Sequence, residues 1–166
     1  MTQQKIPLWR RFGEAIASTR AGSWYFVTVA PKIDRFLIPA TNGRLSTTPT
    51  HPIGLVNMIG AKSGEPRPTP LVCTPDGDDW ILIASNGGNK KNPAWYYNLK
   101  ANPEVTLQIK GHTGKYLARE VFGEERAACW QKATFVYSGY DAYSERSGRE
   151  IPVFVLSPKT ETSENE

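Results

Sequence analysis

The sequence has few of the features that mark metalloproteins, disulfide-linked proteins and membrane proteins. Its 166 residues include only two cysteines and two histidines, and neither Cys73 nor Cys129 lies in a CxxC or Cys/His pattern. We therefore expect two buried thiols and no metal site. No apolar run reaches the roughly 18 residues that a transmembrane helix needs, and the first residues lack a signal-peptide pattern. A cytoplasmic protein is expected.

The sequence also lacks the motifs of the common nucleotide-binding and hydrolytic folds. None of GxGxxG, GxxxxGK, HExxH and GxSxG occurs, which argues against Rossmann, P-loop, zinc-peptidase and α/β-hydrolase sites. His51 and His112 lie in polar turns, and we expect both to be solvated. The net charge is +4 without a cationic run, so no nucleic-acid partner is expected. Any chemistry would have to come from a bound organic cofactor.

The residues that are present predict one globular domain with extensions at both ends. With 39% hydrophobic and 11% aromatic residues, the chain is long enough to bury a sizeable core. Residues 1–52 are predicted to form N-terminal amphipathic helices and a linker. Residues 53–158 are predicted to form the main domain, and residues 159–166 a disordered tail.

Two amphipathic helices are predicted before residue 52. Residues 8–19 place apolar side chains at helical spacing, and a second helix begins near residue 24, with Pro31 positioned to kink or restart it. Its predicted apolar stripe consists of Phe26, Val29, Ala30, Ile33 and Leu37, and the charged residues facing away are Lys32, Asp34 and Arg35. Such helices pack over a domain core or lie on a membrane surface, and the pattern leaves both interpretations open.

From residue 53 the apolar pattern changes to that of strands joined by tight turns. Pro66, Pro68 and Pro70 cannot donate ladder hydrogen bonds, so we expect the second strand to lie at a sheet edge or to turn its N–H side toward a cleft. Helices are predicted after residue 92 and from residue 124. The fold class is therefore α+β, a mostly antiparallel β-barrel with flanking helices. Its six predicted strands are residues 53–59, 67–73, 80–84, 105–109, 116–121 and 152–156.

The polar loop after the third predicted strand is a candidate ligand site. Gly87 and Gly88 let backbone N–H groups approach a ligand closely, and two lysines follow them. Asn92 and Pro93 are expected to be the N-cap and first residue of a helix, whose N-terminus favours negative charge. The loop therefore suits an anion or a polar heterocycle, although an ordinary surface turn has the same composition.

Three motifs in this order resemble the deazaflavin-dependent nitroreductase and quinone reductase family. The motifs are GAKSGEPR at residues 60–67 with TPL at 69–71, ASNGG at 84–88 with KNPAWYYNL at 91–99, and YSGYDAY at 137–143. The resemblance covers residues 53–158. It implies a split β-barrel that binds coenzyme F420, an 8-hydroxy-5-deazaflavin.

The resemblance also implies the residues of the cofactor site. The phosphate and acidic tail would lie against the turn formed by Ala61, Lys62, Ser63, Gly64, Glu65, Pro66 and Arg67. The ring would lie against Leu82, Ile83, Ala84, Ser85, Asn86, Ala94, Trp95, Asn98 and Tyr140. A lysine beside a planar guanidinium group is well suited to a phosphodiester with carboxylates.

The implied reaction is hydride transfer from reduced F420 to a flat acceptor, namely a quinone, an enone or a nitroaromatic compound. The implied catalytic residues are Tyr137, Tyr140, Tyr143 and Ser85, and a tyrosine hydroxyl or water would supply the proton. Two alternatives stay open: a split barrel that binds flavin mononucleotide or haem, and a carrier that holds the deazaflavin without turnover.

Overall fold

The computed structural model describes residue 25, residues 28–48 and residues 50–159. The helix predicted over residues 8–19 and the tail after residue 159 lie outside this part of the chain. The described chain forms four α-helices, α1 (Ala30–Ala40), α2 (Ala94–Ala101), α3 (Gly123–Val136) and α4 (Gly139–Ser147). Its strands are β1 (Ile53–Ile59), β2 (Pro66–Val72), β3 (Thr74–Asp76), β4 (Asp79–Ile83), β5 (Glu104–Ile109), β6 (His112–Val121) and β7 (Val153–Pro158).

All strands belong to one curled antiparallel sheet in the order β2-β1-β5-β6-β7-β4-β3. The α+β fold class is confirmed, but the sheet has seven strands and the predicted count of six was wrong. The additional strand is β3, because the turn around Gly77, at φ +63°, pairs Asp76 with Asp79. The proline-rich strand β2 lies at the sheet edge, as predicted.

The sheet packs apolar side chains on both of its faces. On β7, Val153 and Val155 belong to one buried cluster, whereas Phe154 and Leu156 belong to another. This alternation is the two-residue period of a strand. The cluster with Phe154 also contains Trp95 of α2, and the cluster with Val153 also contains Tyr137, Tyr140 and Tyr143. The helices that carry the candidate site are therefore anchored to opposite faces of the sheet.

Helix α1 packs on β1, β2 and β5 through a face that differs from the predicted one. Ala30, Asp34 and Ile38 are buried, whereas Ile33 is 46% and Phe36 76% exposed. The expectation that Asp34 faces away was wrong. Its two carboxylate oxygens accept hydrogen bonds from the backbone N–H (2.6 Å) and the hydroxyl (2.8 Å) of Thr47, and these bonds offset the desolvation of the carboxylate.

Both thiols are buried, as predicted: Cys73 lies between β2 and β3, and Cys129 lies on the buried side of α3. Burial raises the pKa of Cys73 to about 12 and also raises the pKa of Cys129. Because the thiolate is the reactive form, we expect neither thiol of the native protein to react with Ellman's reagent at pH 8 within the time that the unfolded chain needs to react completely. The count of thiols before and after addition of guanidinium chloride measures this. Rapid labelling of the native protein would contradict the burial of the labelled residue.

None of the helices in the described part of the chain is long and apolar enough to cross a membrane.

Candidate active site

A cavity of about 540 Å³ opens between α1, the end of β2, the loop after β4, the start of α2 and the segment from α3 to α4. Its walls are mainly apolar, with polar groups on the β4 loop and on the segment before β1. Its lining residues include Ala30, Asp34, Thr50, His51, Ile53, Leu71, Leu82, Ile83, Ser85, Asn86, Asn92, Ala94, Trp95, Tyr137, Tyr140 and Tyr143. A concave, mainly apolar site with a few polar groups is typical of small-molecule sites.

Two arginines hold the loop after β4 in place: Arg146 lies in the last turn of α4, and Arg149 lies just after that helix. Arg149 donates from Nη2 to the carbonyl of Ala84 (2.9 Å), and Arg146 donates from Nη1 to the carbonyl of Gly87 (3.2 Å). Gly88 has φ +81°, and an added Cβ would lie 3.2 Å from Cα of Tyr143. Glycine at this position therefore allows the loop to pack closely against α4.

Ser85 lies in this loop at the wall of the cavity. It is buried, and its hydroxyl makes no hydrogen bond to any residue of the described chain. Asn86 is in the left-handed region at φ +50° and donates from Nδ2 to the carbonyl of Lys91 (3.0 Å). The Ser85 hydroxyl is thus available to a ligand, whereas the Asn86 amide group holds the loop.

The predicted start of α2 was wrong by one residue. Helix α2 begins at Ala94, Pro93 takes the N-cap position, and no side chain caps the helix. Pro93 has extended backbone angles, φ −66° and ψ 157°, and therefore lies outside the helix. Asn92 consequently does not act as a cap, and its Oδ1 atom is buried beside the cavity without a hydrogen-bond partner among the described residues. A ligand with an N–H or O–H donor would satisfy this acceptor.

The three tyrosines of the third motif form one aromatic cluster at the cavity. The ring centroids of Tyr137 and Tyr140 are 5.0 Å apart, and the hydroxyl oxygens of Tyr137 and Tyr143 are 2.8 Å apart. A Cβ at Gly139 would lie 2.4 Å from the Tyr137 ring, so glycine lets the chain pass close to this ring between α3 and α4. Burial raises the pKa of Tyr140 far above its ordinary value.

The predicted tail-binding turn lies outside the cavity, at the exposed tip of the β1–β2 hairpin. Arg67 donates from Nη2 to the hydroxyl of Ser63 (3.2 Å), and the Lys62 side chain is exposed. The backbone N–H of Ala61 donates to Oδ1 of Asn98 (3.0 Å) on α2. This bond joins the hairpin tip to the helix whose first turn lines the cavity.

Nine of the predicted site residues line the cavity together, namely Leu82, Ile83, Ser85, Asn86, Ala94, Trp95, Tyr137, Tyr140 and Tyr143. Ala84, Asn98 and residues 61–67 do not line it, although they lie on the same loop, helix and adjoining hairpin. The roles assigned to all of these residues stay predictions.

Sequence reasoning missed His51, which lines the cavity and is half-buried rather than solvated. Its Nδ1 atom is 2.9 Å from the Thr50 hydroxyl, and its ring meets the Tyr137 ring edge-on at 5.2 Å between centroids. The sequence before β1 is typical of a polar turn, and the approach of Tyr137, from the segment between α3 and α4, creates this environment. His112 is exposed in the β5–β6 hairpin, as expected.

Comparisons with known proteins agree with this architecture. The family model described as F420H(2)-dependent quinone reductase matches residues 35–158. An F420H(2)-dependent quinone reductase of Mycobacterium tuberculosis is 36% identical over 122 residues, which cover 70% of this chain and 82% of that protein. A solved F420-H2 dependent reductase, FDR-A, is 40% identical with a TM-score of 0.61, covering 64% of this chain and 94% of the other.

A more distant solved structure shows the fold alone. A haem binding protein from Mycobacterium smegmatis has a TM-score of 0.53 at 16% identity, covering 66% of this chain and 47% of the other. The family match and the much higher identity to the F420-dependent proteins distinguish the present chain from it. The resemblance predicted from the three motifs is confirmed, and the chain belongs to the F420H(2)-dependent quinone reductase family.

Proposed function

We propose that this protein is an oxidoreductase that transfers a hydride from reduced coenzyme F420 to a quinone. The observation that carries the proposal is the cavity itself, which joins the Ser85 loop, the first turn of α2 and the tyrosine cluster in one largely apolar space beside a cationic hairpin tip. Membership of the F420H(2)-dependent quinone reductase family supports the same cofactor and acceptor.

The groups around the cavity fit the chemistry of a deazaflavin. Trp95, Leu82 and Ile83 offer apolar surface to a flat ring, while the Ser85 hydroxyl and the buried Oδ1 atom of Asn92 offer polar contacts to its edge. An acceptor without a partner suits the N–H group of a pyrimidinedione ring. Outside the cavity, the charges of Lys62 and Arg67 suit a phosphodiester and carboxylates. The cofactor would thus lie with its ring in the cavity and its tail toward the hairpin tip.

When bound, the reduced deazaflavin supplies the hydride, and the side chains supply position and electrostatics. The apolar walls exclude water from the acceptor. Tyr140 keeps its hydroxyl proton because burial raises its pKa, so it can donate a hydrogen bond to the acceptor oxygen where negative charge develops. Tyr137 and Tyr143 are paired through their hydroxyl oxygens, and we assign them to the shape of the acceptor wall.

Titration with three cofactors tests this proposal. We expect reduced F420 to bind more tightly than flavin mononucleotide or haem, and the bound reduced F420 to be oxidised repeatedly when a quinone is added. Tighter binding of flavin mononucleotide or haem would contradict the assigned cofactor. Tight binding of F420 without turnover would instead indicate a carrier.

Enones and nitroaromatic compounds are proposed as further acceptors. They share with quinones a flat shape and a polar oxygen conjugated to the electrophilic centre. The described cavity wall contains no lysine or arginine, and its one carboxylate, Asp34, is engaged by Thr47. Turnover of menadione, a cyclic enone and a nitroimidazole, each with reduced F420, compares them directly.

Replacement of Lys62 or Arg67 by alanine is expected to weaken binding of F420 while leaving the fold intact. Each side chain is exposed at the hairpin tip, and loss of a charge-assisted hydrogen bond costs roughly 1.5–3 kcal/mol, about tenfold to a hundredfold in Kd. Equilibrium titration at low salt measures the change. Lys159→Ala is the control, because Lys159 pairs with Glu104 at 2.6 Å and lies outside the proposed site. Unchanged affinity in both tip variants would contradict the tail assignment.

We also propose that the N-terminal region makes peripheral contact with a membrane surface. Exposed Ile33 and Phe36 on α1 lie near exposed Lys32 and Arg35, a combination that suits an anionic interface. Phe36→Glu is expected to reduce co-sedimentation with vesicles that contain anionic lipid. The substitution removes an apolar contact and adds a negative charge that the anionic lipid repels. Phe135→Glu, an exposed site on α3, is the control. Equal binding of both variants would contradict a contact through α1.

A further inference from the structure

His51 is the residue of the cavity whose chemistry the proposed function does not yet use. It precedes β1 and lies among the lining residues, with its Nδ1 atom 2.9 Å from the Thr50 hydroxyl. A hydroxyl can donate to a neutral imidazole and accept from an imidazolium, so Thr50 can support both protonation states of the ring. The edge-on contact with Tyr137, at 5.2 Å between centroids, places the ring beside the tyrosine cluster.

Reduction of a quinone to a hydroquinone needs one proton in addition to the hydride. The titratable side chains that line the described cavity are Asp34 from α1, His51 before β1, and Tyr137, Tyr140 and Tyr143 from the segment between α3 and α4. They are therefore the groups that share the acceptor space with His51, and Tyr137 contacts its ring directly.

The other members of this set are poorly suited to give up a proton near neutral pH. Phenols are weak acids with a pKa of about 10, and burial raises the pKa of Tyr140 further. Both oxygens of Asp34 accept hydrogen bonds from Thr47. An imidazole, by contrast, exchanges its proton between pH 5 and 8.

We propose that His51 is the catalytic acid of this site and delivers a proton from its imidazolium Nε2 to the oxygen of the quinone acceptor. The inference rests on the proposed function. The hydride carries two electrons and one hydrogen to the quinone, the N–H bond of His51 breaks, and an O–H bond forms on the second oxygen. The quinone is thereby reduced to a hydroquinone. The cofactor is oxidised by loss of the hydride and releases its second hydrogen as a proton, and the neutral imidazole is protonated again once the product has left the cavity. Tyr140 donates a hydrogen bond in this scheme and keeps its own proton.

The first test is the pH dependence of single-turnover oxidation of bound reduced F420 by menadione. In the parent protein the rate is expected to fall as pH rises from 5.5 to 8.5, because the imidazolium is the donor and is lost over this range. His51→Gln retains polarity without titrating, and it is expected to be roughly a hundredfold slower at pH 6 and independent of pH over the same range. His112→Gln alters the other histidine, which is exposed, and is expected to keep the parent profile.

The second test does not use activity. With only two histidines in the chain, NMR of the protein labelled in its imidazole rings resolves both, and His112→Gln assigns them. Addition of menadione without cofactor is expected to shift the His51 signals and leave those of His112 unchanged. Cofactor affinity and the circular dichroism spectrum of His51→Gln report whether that variant is folded, and His51→Asn provides a second non-titrating side chain if it is not.

The outcomes separate the two proposals. If the parent protein reduces menadione with F420 but His51→Gln or His51→Asn keeps the pH profile, the role of His51 is wrong and the proposed function stands. Absence of any menadione-induced shift at His51 would also overturn this role. If the parent protein does not oxidise reduced F420 with any quinone, the proposed function is wrong and the role of His51 falls with it.

Discussion

Replacement of Tyr140 by phenylalanine is expected to slow hydride transfer about a hundredfold, roughly 3 kcal/mol, and to leave cofactor affinity near that of the parent. The phenol is buried within the aromatic cluster and lines the cavity, so the substitution retains the ring and removes only the hydrogen-bond donor. Single-turnover oxidation of bound reduced F420 by menadione, with cofactor saturating, measures the effect. Water that replaces the phenol could limit the loss to about tenfold.

The controls for this prediction come from the remaining tyrosines. Tyr97 is exposed on α2, and Tyr97→Phe is expected to keep the parent rate. Tyr137→Phe and Tyr143→Phe each break the 2.8 Å hydroxyl pair and are expected to cost less rate than Tyr140→Phe. Equal rates in all three cluster variants would mean that the hydroxyls are structural. The Tyr140 effect is expected at every pH, which distinguishes it from that of His51.

Replacement of Phe154 by alanine is expected to lower the free energy of unfolding by about 3–5 kcal/mol. The side chain is only 1% exposed on β7, and its ring packs against Trp95 at 6.1 Å and Tyr96 at 5.7 Å between centroids. The substitution leaves a cavity between the sheet and α2, so the helix that begins at the candidate site loses its main aromatic support. Urea denaturation followed by circular dichroism measures the change.

Phe135 provides the matched control, because the same type of side chain is 68% exposed near the end of α3. Phe135→Ala is expected to change the free energy of unfolding by no more than about 0.5 kcal/mol. A loss below about 1 kcal/mol for Phe154→Ala would mean that the surrounding side chains refill the site and that α2 does not depend on this contact.

The sequence by itself determined the family and most of the elements. Strand periodicity located most of the strands, and the prolines of β2 predicted its position at an edge, because a residue without an N–H cannot occupy a central strand. These are local properties of the chain. The three motifs identified the family because they occur in a fixed order. Their residue types suggest ligand binding even without a structure. Residues 1–52 as a separate region stay a prediction, although α1 packs on the sheet.

Tertiary structure alone decided how distant segments combine. The three-residue strand β3 is defined by its pairing with β4. Three residues are too few to show a strand pattern in the sequence, so the sequence of this segment is typical of a turn. The helical pattern predicted Asp34 to be a surface residue, whereas in the structure it is buried and accepts a hydrogen bond from Thr47. His51 and Asn92 looked like turn and cap residues, yet both line the cavity. The physical reason is common to these residues: a side chain's environment depends on the elements packed against it, and those elements lie far away along the chain.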